Sequence, residues 1–252
     1  MILEVCVDSF ESSLAAEQGG AGRLELCAGL LEGGTTPSAG MIETVRQGVR
    51  IPLHVMIRPR GADFCYTAAE LAVMRRDILL AKQLGADGVV FGLLNTDGTV
   101  DVEHTAELIA LARPLKVTFH RAFDMTPDAH AALETLIALG VERVLTSGQE
   151  QTALEGLDLI AALVSQAAGR SVVMPGGGIH ARNAGRIVAR SGARELHVTA
   201  RTTVDSPMVY RNPRVFMGGA LQPPEFSRSL ADASRVRALI QACETAGPER
   251  PA

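Results

Sequence analysis

The chain has 252 residues, a formal net charge of −4 and 47% hydrophobic residues, with no Trp among them. Its length suits a single α/β barrel, and its apolar content is sufficient for one large core. The basic residues are scattered, which argues against a nucleic-acid-binding surface, and no apolar run approaches the roughly 18 residues that a membrane span needs.

The N-terminal sequence MILEVCVDSF has no basic region and enters a strand pattern at once. This pattern is not that of a signal peptide, so we expect a cytoplasmic protein. Thiols in that compartment stay reduced, and the four cysteines are therefore expected to be free.

Short β-branched runs alternate with Ala- and Leu-rich helical patterns along the chain. The predicted strands are residues 2–7, 23–27, 53–57, 88–92, 115–120, 142–146, 171–174 and 195–199. The predicted helices are residues 9–19, 38–49, 68–84, 102–112, 127–139, 152–167, 180–190 and 228–243. Eight strands that are each followed by a helix predict a single (β/α)8 barrel of the TIM type, with a parallel sheet.

Residue types at the element boundaries agree with this alternation. Helix N-caps are predicted at Ser9, Thr67, Thr126 and Ser227, whose side chains can accept a backbone hydrogen bond. An open doubly wound sheet is the alternative fold, but it normally has a Gly-rich turn after its first strand. Here the first strand ends in Asp-Ser-Phe at residues 8–10, which favours the barrel.

A long segment separates the eighth strand from the last helix. Residues 201–227 carry four prolines and show no regular pattern. Loops of this length are usually functional or serve as oligomerisation arms. We predict one barrel domain over residues 1–245, followed by a disordered tail at 246–252.

The alternation of side chains within the strands predicts an unusually polar barrel interior. If the apolar partners face the helices, acids, bases and thiols face inward. The inward set is Glu4, Cys6, Asp8, Glu25, Cys27, His54, Met56, Arg58, Lys116, Thr118, His120, Glu195, His197 and Thr199. Burying such groups is costly unless they pair or meet a ligand, so we predict a functional pocket at the C-terminal mouth. A structural ion-pair network is the alternative interpretation, and His54 and Lys116 are assigned to the floor of the barrel or to a salt bridge.

Two cysteines occupy near-identical positions on the first two strands. Cys6 ends LEVC and Cys27 ends LELC, and neighbouring strands lie about 4.8 Å apart. Two close thiolates suit a soft ion such as Cu(I), and Met56 on the next strand could add a thioether. The alternative is that both cysteines are small apolar core residues. Cys65 and Cys243 receive no role.

Eight short motifs extend across the chain. They are EVCVDS at 4–9, RLELC at 23–27, EGGTTPS at 32–38, MIRPR at 56–60, TFHRAFD at 118–124, LTSG at 145–148, MPGGGI at 174–179 and ELH at 195–197. Together they resemble the copper homeostasis protein CutC family over about residues 1–240. The resemblance implies a cytoplasmic barrel linked to copper tolerance, with Cys6 and Cys27 in the positions proposed for Cu(I). It also implies a homodimer or larger homo-oligomer, in which the 201–227 arm could take part.

The alternative hypothesis is a barrel enzyme that acts on a small anionic or phosphorylated metabolite at the mouth. Glu25 and His120 are the candidate general acid/base groups, and Arg58 is a candidate anion clamp. Asp8 and Asp124 could orient these bases or bind a hard cation, and His197 is expected to reach the mouth from the eighth strand.

A glycine triplet follows the seventh strand. Gly176, Gly177 and Gly178 are predicted to open a helix and to offer backbone N–H groups to an anion, as the late loops of many barrels do. A tight strand-to-helix turn explains the same three residues equally well.

Overall fold

The computed structural model describes residues 1–217 and 225–245. The barrel strands are β1 (Ile2–Val7), β2 (Arg23–Leu26), β3 (Leu53–Met56), β4 (Gly88–Phe91), β5 (Lys116–Phe119), β6 (Arg143–Thr146), β7 (Val172–Pro175) and β8 (Glu195–Val198). The α-helices are α1 (Phe10–Gln18), α2 (Ala39–Gly48), α3 (Ala68–Gln83), α4 (Val102–Ala112), α5 (Ala129–Ala138), α6 (Leu157–Ala167), α7 (Ala184–Ser191) and α8 (Ala233–Glu244).

The eight strands form one parallel sheet that curls into a nearly closed barrel. Each strand pairs with its sequence neighbours, and β1 also pairs with β8. A parallel bridge between Gly176 and His197 joins the remaining edge. The predicted TIM-type (β/α)8 fold is therefore confirmed.

The side-chain alternation divides the buried residues into two groups. The apolar strand residues that were predicted to face outward pack with the helices in one large core; examples are Leu3, Val5, Leu24, Val55 and Phe119. A separate small cluster lies inside the barrel and contains Cys6, Cys27, Met56 and Val90. The interior of the barrel is thus distinct from the core that stabilises the helical layer.

The segment before the last helix differs from its prediction. Arg201–Asp205 (β9) and Ser227–Ala231 (β10) pair antiparallel, where a long loop followed directly by a helix was expected. β-Branched residues in 202–204 favour the extended conformation. Helix α8 consequently begins at Ala233, and Asp232 rather than Ser227 is its N-cap.

Three other helix starts lie later than predicted. Helix α6 begins at Leu157 instead of residue 152, because residues 151–156 form turns. Asp128 caps α5 in place of Thr126, which ends the short 3-10 turn Arg121–Met125. Helix α7 begins only at Ala184, so the glycine triplet does not open it. The N-caps at Ser9 and Thr67 are confirmed.

The predicted tail at 246–252 lies outside the described residues. Among the helices of the described ranges, none combines the length and the apolar character that crossing a membrane requires.

Candidate functional site at the mouth of the barrel

A cavity of about 350 Å³ opens at the C-terminal ends of the strands. It is lined by Cys6, Glu25, Leu30, Glu32, Gly33, Met56, Arg58, Phe64, His120, Arg121, Leu145, Gly177, His197 and Thr199. The structure therefore brings together five of the candidate residues from the sequence and one glycine of the triplet. Its size is near the lower end of the range for small-molecule pockets.

Beneath the cavity, a buried ion network forms the floor of the barrel. Arg23 pairs with Glu4 and, through Nη2, with Glu195 Oε2 at 2.5 Å. Arg143 reaches the same Glu195 oxygen from the other side at 3.0 Å. His54 Nδ1 lies 4.0 Å from Glu4 Oε2, as expected for a floor residue. This part of the interior is a structural network, which was the alternative interpretation of the polar set.

One predicted inward residue is outside the barrel. Lys116 is exposed because it is the first residue of β5, where its side chain reaches solvent at the N-terminal opening. Asp8 is only partly buried, and its Oδ2 lies 3.8 Å from Arg201 Nη2 at the start of β9. Both residues lie away from the cavity wall.

The two strand cysteines are close neighbours. Cys6 Sγ lies 3.8 Å from Cys27 Sγ, and the Cys27 thiol donates to Glu25 Oε2 at 3.4 Å. Potential ligand atoms of Cys6, Cys27 and Glu25 all lie within 4.8 Å of one another. Gly34 covers Cys27 from the loop after β2, since a Cβ there would lie 3.2 Å from the sulfur and the φ of +95° favours glycine. This compact, buried group could hold a metal ion.

The two thiols differ in their acidity. The contact with the Cys27 thiol lowers the pKa of Cys6 to about 5 against the effect of burial, and His197 adds to the lowering. The same contact, together with burial, raises the pKa of Cys27 well above its ordinary value. Cys6 is therefore the more acidic thiol of the pair.

His197 connects the thiols to the floor. Its Nδ1 lies 2.8 Å from Glu4 Oε1, and its Nε2 lies 3.6 Å from Glu25 Oε2. Burial alone would lower the pKa of His197, but Glu25, Cys6 and Glu4 raise it well above its ordinary value. Burial also raises the pKa of Glu25 well above its ordinary value. Glu25, Cys6 and Glu4 thus all favour the protonated form of His197.

Asp124 organises a loop and does not line the cavity. It accepts hydrogen bonds from the Thr146 hydroxyl at 2.5 Å and from the Ser147 N–H at 3.0 Å, and it pairs with Arg121 at 2.7 Å. Asp124 thereby holds the loop after β6 against the turn after β5. Arg121 itself lines the cavity, although sequence reasoning did not select it. Its position directly after His120 is the sequence feature that could have indicated a place at the mouth.

The glycine triplet contributes one residue to the cavity wall. Gly177 lines the cavity with φ +100°, whereas Gly176 packs against Leu145 and Gly178 against Thr152. Five residues separate Gly178 from α7, so the triplet is not a helix N-terminus.

The other two cysteines lie apart from this site. The Cys65 thiol donates to the Asn95 carbonyl at 3.4 Å, and Cys243 is buried on α8. Phe64, also missed from the sequence, reaches the cavity from an irregular loop in which no periodicity predicts side-chain direction.

The chain is similar to known proteins in both sequence and structure. The model of the CutC family matches residues 1–202. The copper homeostasis protein cutC homologs of Mus musculus and Homo sapiens are 59% and 58% identical to the chain over 238 residues, which is 94% of this chain and 88% and 87% of theirs. The crystal structure of a CutC protein from Streptococcus agalactiae superimposes with a TM-score of 0.76 at 35% identity, covering 79% of this chain and 98% of that one. The chain belongs to the CutC family of copper homeostasis proteins.

Proposed function

We propose that this protein binds Cu(I) through Cys6 and Cys27 and serves copper homeostasis in the cytoplasm. The observation that supports the proposal is the 3.8 Å separation of the two sulfurs in a buried cluster. Thiolates are soft ligands that select Cu(I), and the curated relatives carry the name of copper homeostasis proteins.

The separation of the sulfurs suits copper without a large rearrangement. Metal–thiolate bonds of about 2.3 Å would place two sulfurs about 4.6 Å apart in a linear arrangement. The observed 3.8 Å is shorter and corresponds to a bent arrangement, which leaves room for a third donor. Met56 lies in the same buried cluster and has the soft sulfur that such a position favours.

Anaerobic titration of Cu(I) against a competing chelator tests the proposal. Wild-type protein should hold one equivalent tightly, and the Cys6→Ser/Cys27→Ser double variant should lose this binding. Cys65→Ser is the matched control, because it removes a thiol that lies outside the cluster. Equal affinities in the wild type and the double variant would contradict the proposal.

We also propose that the chain assembles with copies of itself through the arm between β9 and β10. Six large apolar side chains in this arm are exposed: Met208, Val209, Tyr210, Val215, Phe216 and Met217. Clusters of exposed apolar residues along the chain often mark interaction sites, and a second copy that covers these side chains removes them from water. Sedimentation of the wild type should give a homodimer or a larger species.

A second function at the same mouth is the binding of a small anionic or phosphorylated metabolite, with or without a catalytic step. One observation favours it: Arg58 lines the cavity, is 5% exposed, and has no carboxylate within 4.0 Å in the described residues. In a catalytic form of this proposal, Glu25 and His197 exchange protons with the ligand. Stabilisation of the protein by small anions in a thermal unfolding screen would support it.

A further inference from the structure

One part of the cavity wall is built from Arg58, Phe64 and His120. The Arg58 guanidinium carbon lies 5.1 Å from the centre of the Phe64 ring, and the His120 ring centre lies 5.0 Å from it. Phe64 therefore packs against both nitrogen-bearing side chains. Neither Arg58 nor His120 belongs to the group of Cys6, Cys27 and Met56 that is proposed to bind copper.

Arg58 carries a buried positive charge whose partners are neutral. Its Nη1 donates to the carbonyls of Glu32 and Gly34 at 2.8 and 2.9 Å, and its Nη2 donates to the carbonyl of Ala62 at 2.8 Å. These bonds fix the side chain between two loops. The Nε atom is buried without a hydrogen-bond partner in the described chain. Buried charges are normally paired with an opposite charge. An anion bound beside Arg58 would supply that opposite charge.

His120 supplies a second unused donor. Its Nδ1 accepts the N–H of Ala122 at 3.2 Å, so the proton of the neutral ring lies on Nε2. Within residues 1–217 and 225–245, Nε2 is buried and has no partner. Burial, reinforced by the Arg58 charge, lowers the pKa of His120 to about 3, which keeps the ring neutral. An unpaired buried donor is costly, and an oxygen of a ligand would remove that cost.

The charge balance of the wall distinguishes between anions. Arg58 contributes one positive charge and His120 contributes none. Arg121 also lines the cavity, but its Nε is bound to Asp124 at 2.7 Å and its Nη2 to the Ser147 hydroxyl at 2.6 Å. The Glu32 carboxylate also lines the cavity and disfavours a highly charged anion. The single positive charge of Arg58, beside two unused donors, therefore matches a carboxylate better than a phosphate dianion.

We infer that the mouth of the barrel binds the carboxylate group of a small organic acid, with Arg58 Nε–H and His120 Nε2–H as its donors. This inference rests on the second function proposed above, ligand binding at the mouth, and does not depend on copper. The cavity volume of about 350 Å³ limits the ligand to a small metabolite.

Titration of ¹⁵N-labelled protein with sodium propionate tests the inference, with propionamide as a neutral probe of the same shape and constant ionic strength. The His120 imidazole and the amides around the cavity should shift saturably with propionate and not with propionamide. Equal shifts with both probes would overturn the inference, and so would tighter binding of inorganic phosphate than of propionate.

Two replacements at one position separate a binding role from a structural one. His120→Asn keeps an acceptor near Nδ1 for the Ala122 N–H but loses the distal donor, whereas His120→Gln keeps a donor near Nε2. Propionate affinity should fall about tenfold or more in His120→Asn and by a smaller factor in His120→Gln. His130→Asn, at an exposed histidine, is the matched control. Equal affinities in His120→Asn and the wild type would contradict the inference.

The copper titration separates this inference from the first proposal. Wild-type protein that binds Cu(I) but no carboxylate contradicts the carboxylate site alone. Protein that binds inorganic phosphate but no propionate also contradicts it, while it leaves a ligand site at the mouth in place.

Discussion

At the floor of the barrel each buried charged side chain has an opposite charge beside it, whereas at the mouth Arg58 has only neutral carbonyls as partners. Arg23 lies between Glu4 and Glu195, and Arg143 shares Glu195 with it. Both regions bury charge, so burial alone does not mark a functional site. The two regions differ in how their charges are paired. The charged side chains of the floor neutralise one another, whereas the mouth has hydrogen-bond donors that only a ligand would satisfy.

The largest expected effect comes from breaking the floor. Arg23→Ala would leave Glu4 and Glu195 buried without their common partner, and we expect a loss of about 3–5 kcal/mol in the free energy of unfolding. Chemical denaturation measures this loss. Arg75→Ala, which removes an exposed pair with Glu107, is the control and should stay close to the wild type. Equal losses of unfolding free energy in Arg23→Ala and Arg75→Ala would contradict a special role for the buried pairs of the floor.

The pH dependence of stability should reveal the two buried neutral histidines, one at each end of the interior. Burial lowers the pKa of both His54 and His120 to about 3, from an ordinary value of 6.5. Below pH 6.5 these two histidines bind protons in the unfolded chain but stay neutral in the folded protein, so the free energy of unfolding falls as the pH falls towards 3. Between pH 6.5 and pH 5 each histidine should cost about 2 kcal/mol.

The double variant His54→Gln/His120→Gln tests that assignment, because its stability should change less with pH over this range. Chemical denaturation at pH 7.5, 6 and 5 gives the comparison. If the free energy of unfolding of the double variant depends on pH as steeply as that of the wild type, other groups cause the acid sensitivity.

Replacing the thiols should cost less stability than breaking the floor. In the Cys6→Ser/Cys27→Ser variant His197 loses its contact with the Cys6 sulfur but keeps Glu4 at 2.8 Å, and we expect a loss of about 1 kcal/mol. Denaturation in the absence of metal measures it. A loss as large as that of Arg23→Ala would mean that the cysteines serve the core rather than a ligand.

The smallest effect on the folded chain is expected at the arm. Val209 is 99% exposed, so Val209→Ser should change the free energy of unfolding by less than about 0.5 kcal/mol at a concentration where the chain is monomeric. The same substitution should weaken self-association, which sedimentation over a concentration series detects. An unchanged association constant would mean that the arm does not form the interface between copies of the chain.

Much of the fold could be predicted because its signals are local. Alternation with a period of two identified the barrel strands and the inward direction of Cys6, Cys27, Glu25 and His197. Where the signal was not local, the prediction failed: the β9–β10 pair depends on two segments that lie more than 20 residues apart, and neither is strongly patterned.

The loops at the mouth were the least predictable part. Phe64, Arg121 and Asp124 lie in turns whose side-chain directions depend on contacts with other loops, so spacing in the sequence carries no information on them. Asp124 was selected as a site residue, yet its hydrogen bonds go to the loop after β6.

The sequence by itself determined that eight strands alternate with helices and that thiols, acids and imidazoles turn inward, because the period of a strand sets the direction of each side chain. Only the tertiary structure decided how far along the barrel axis, between floor and mouth, each side chain lies. The stagger of the strands placed Glu4, Arg23 and Glu195 together at the floor and brought the Cys6 and Cys27 sulfurs to 3.8 Å. The packing of separate loops left Arg58 without a counter-charge in the described residues, and no local pattern encodes that.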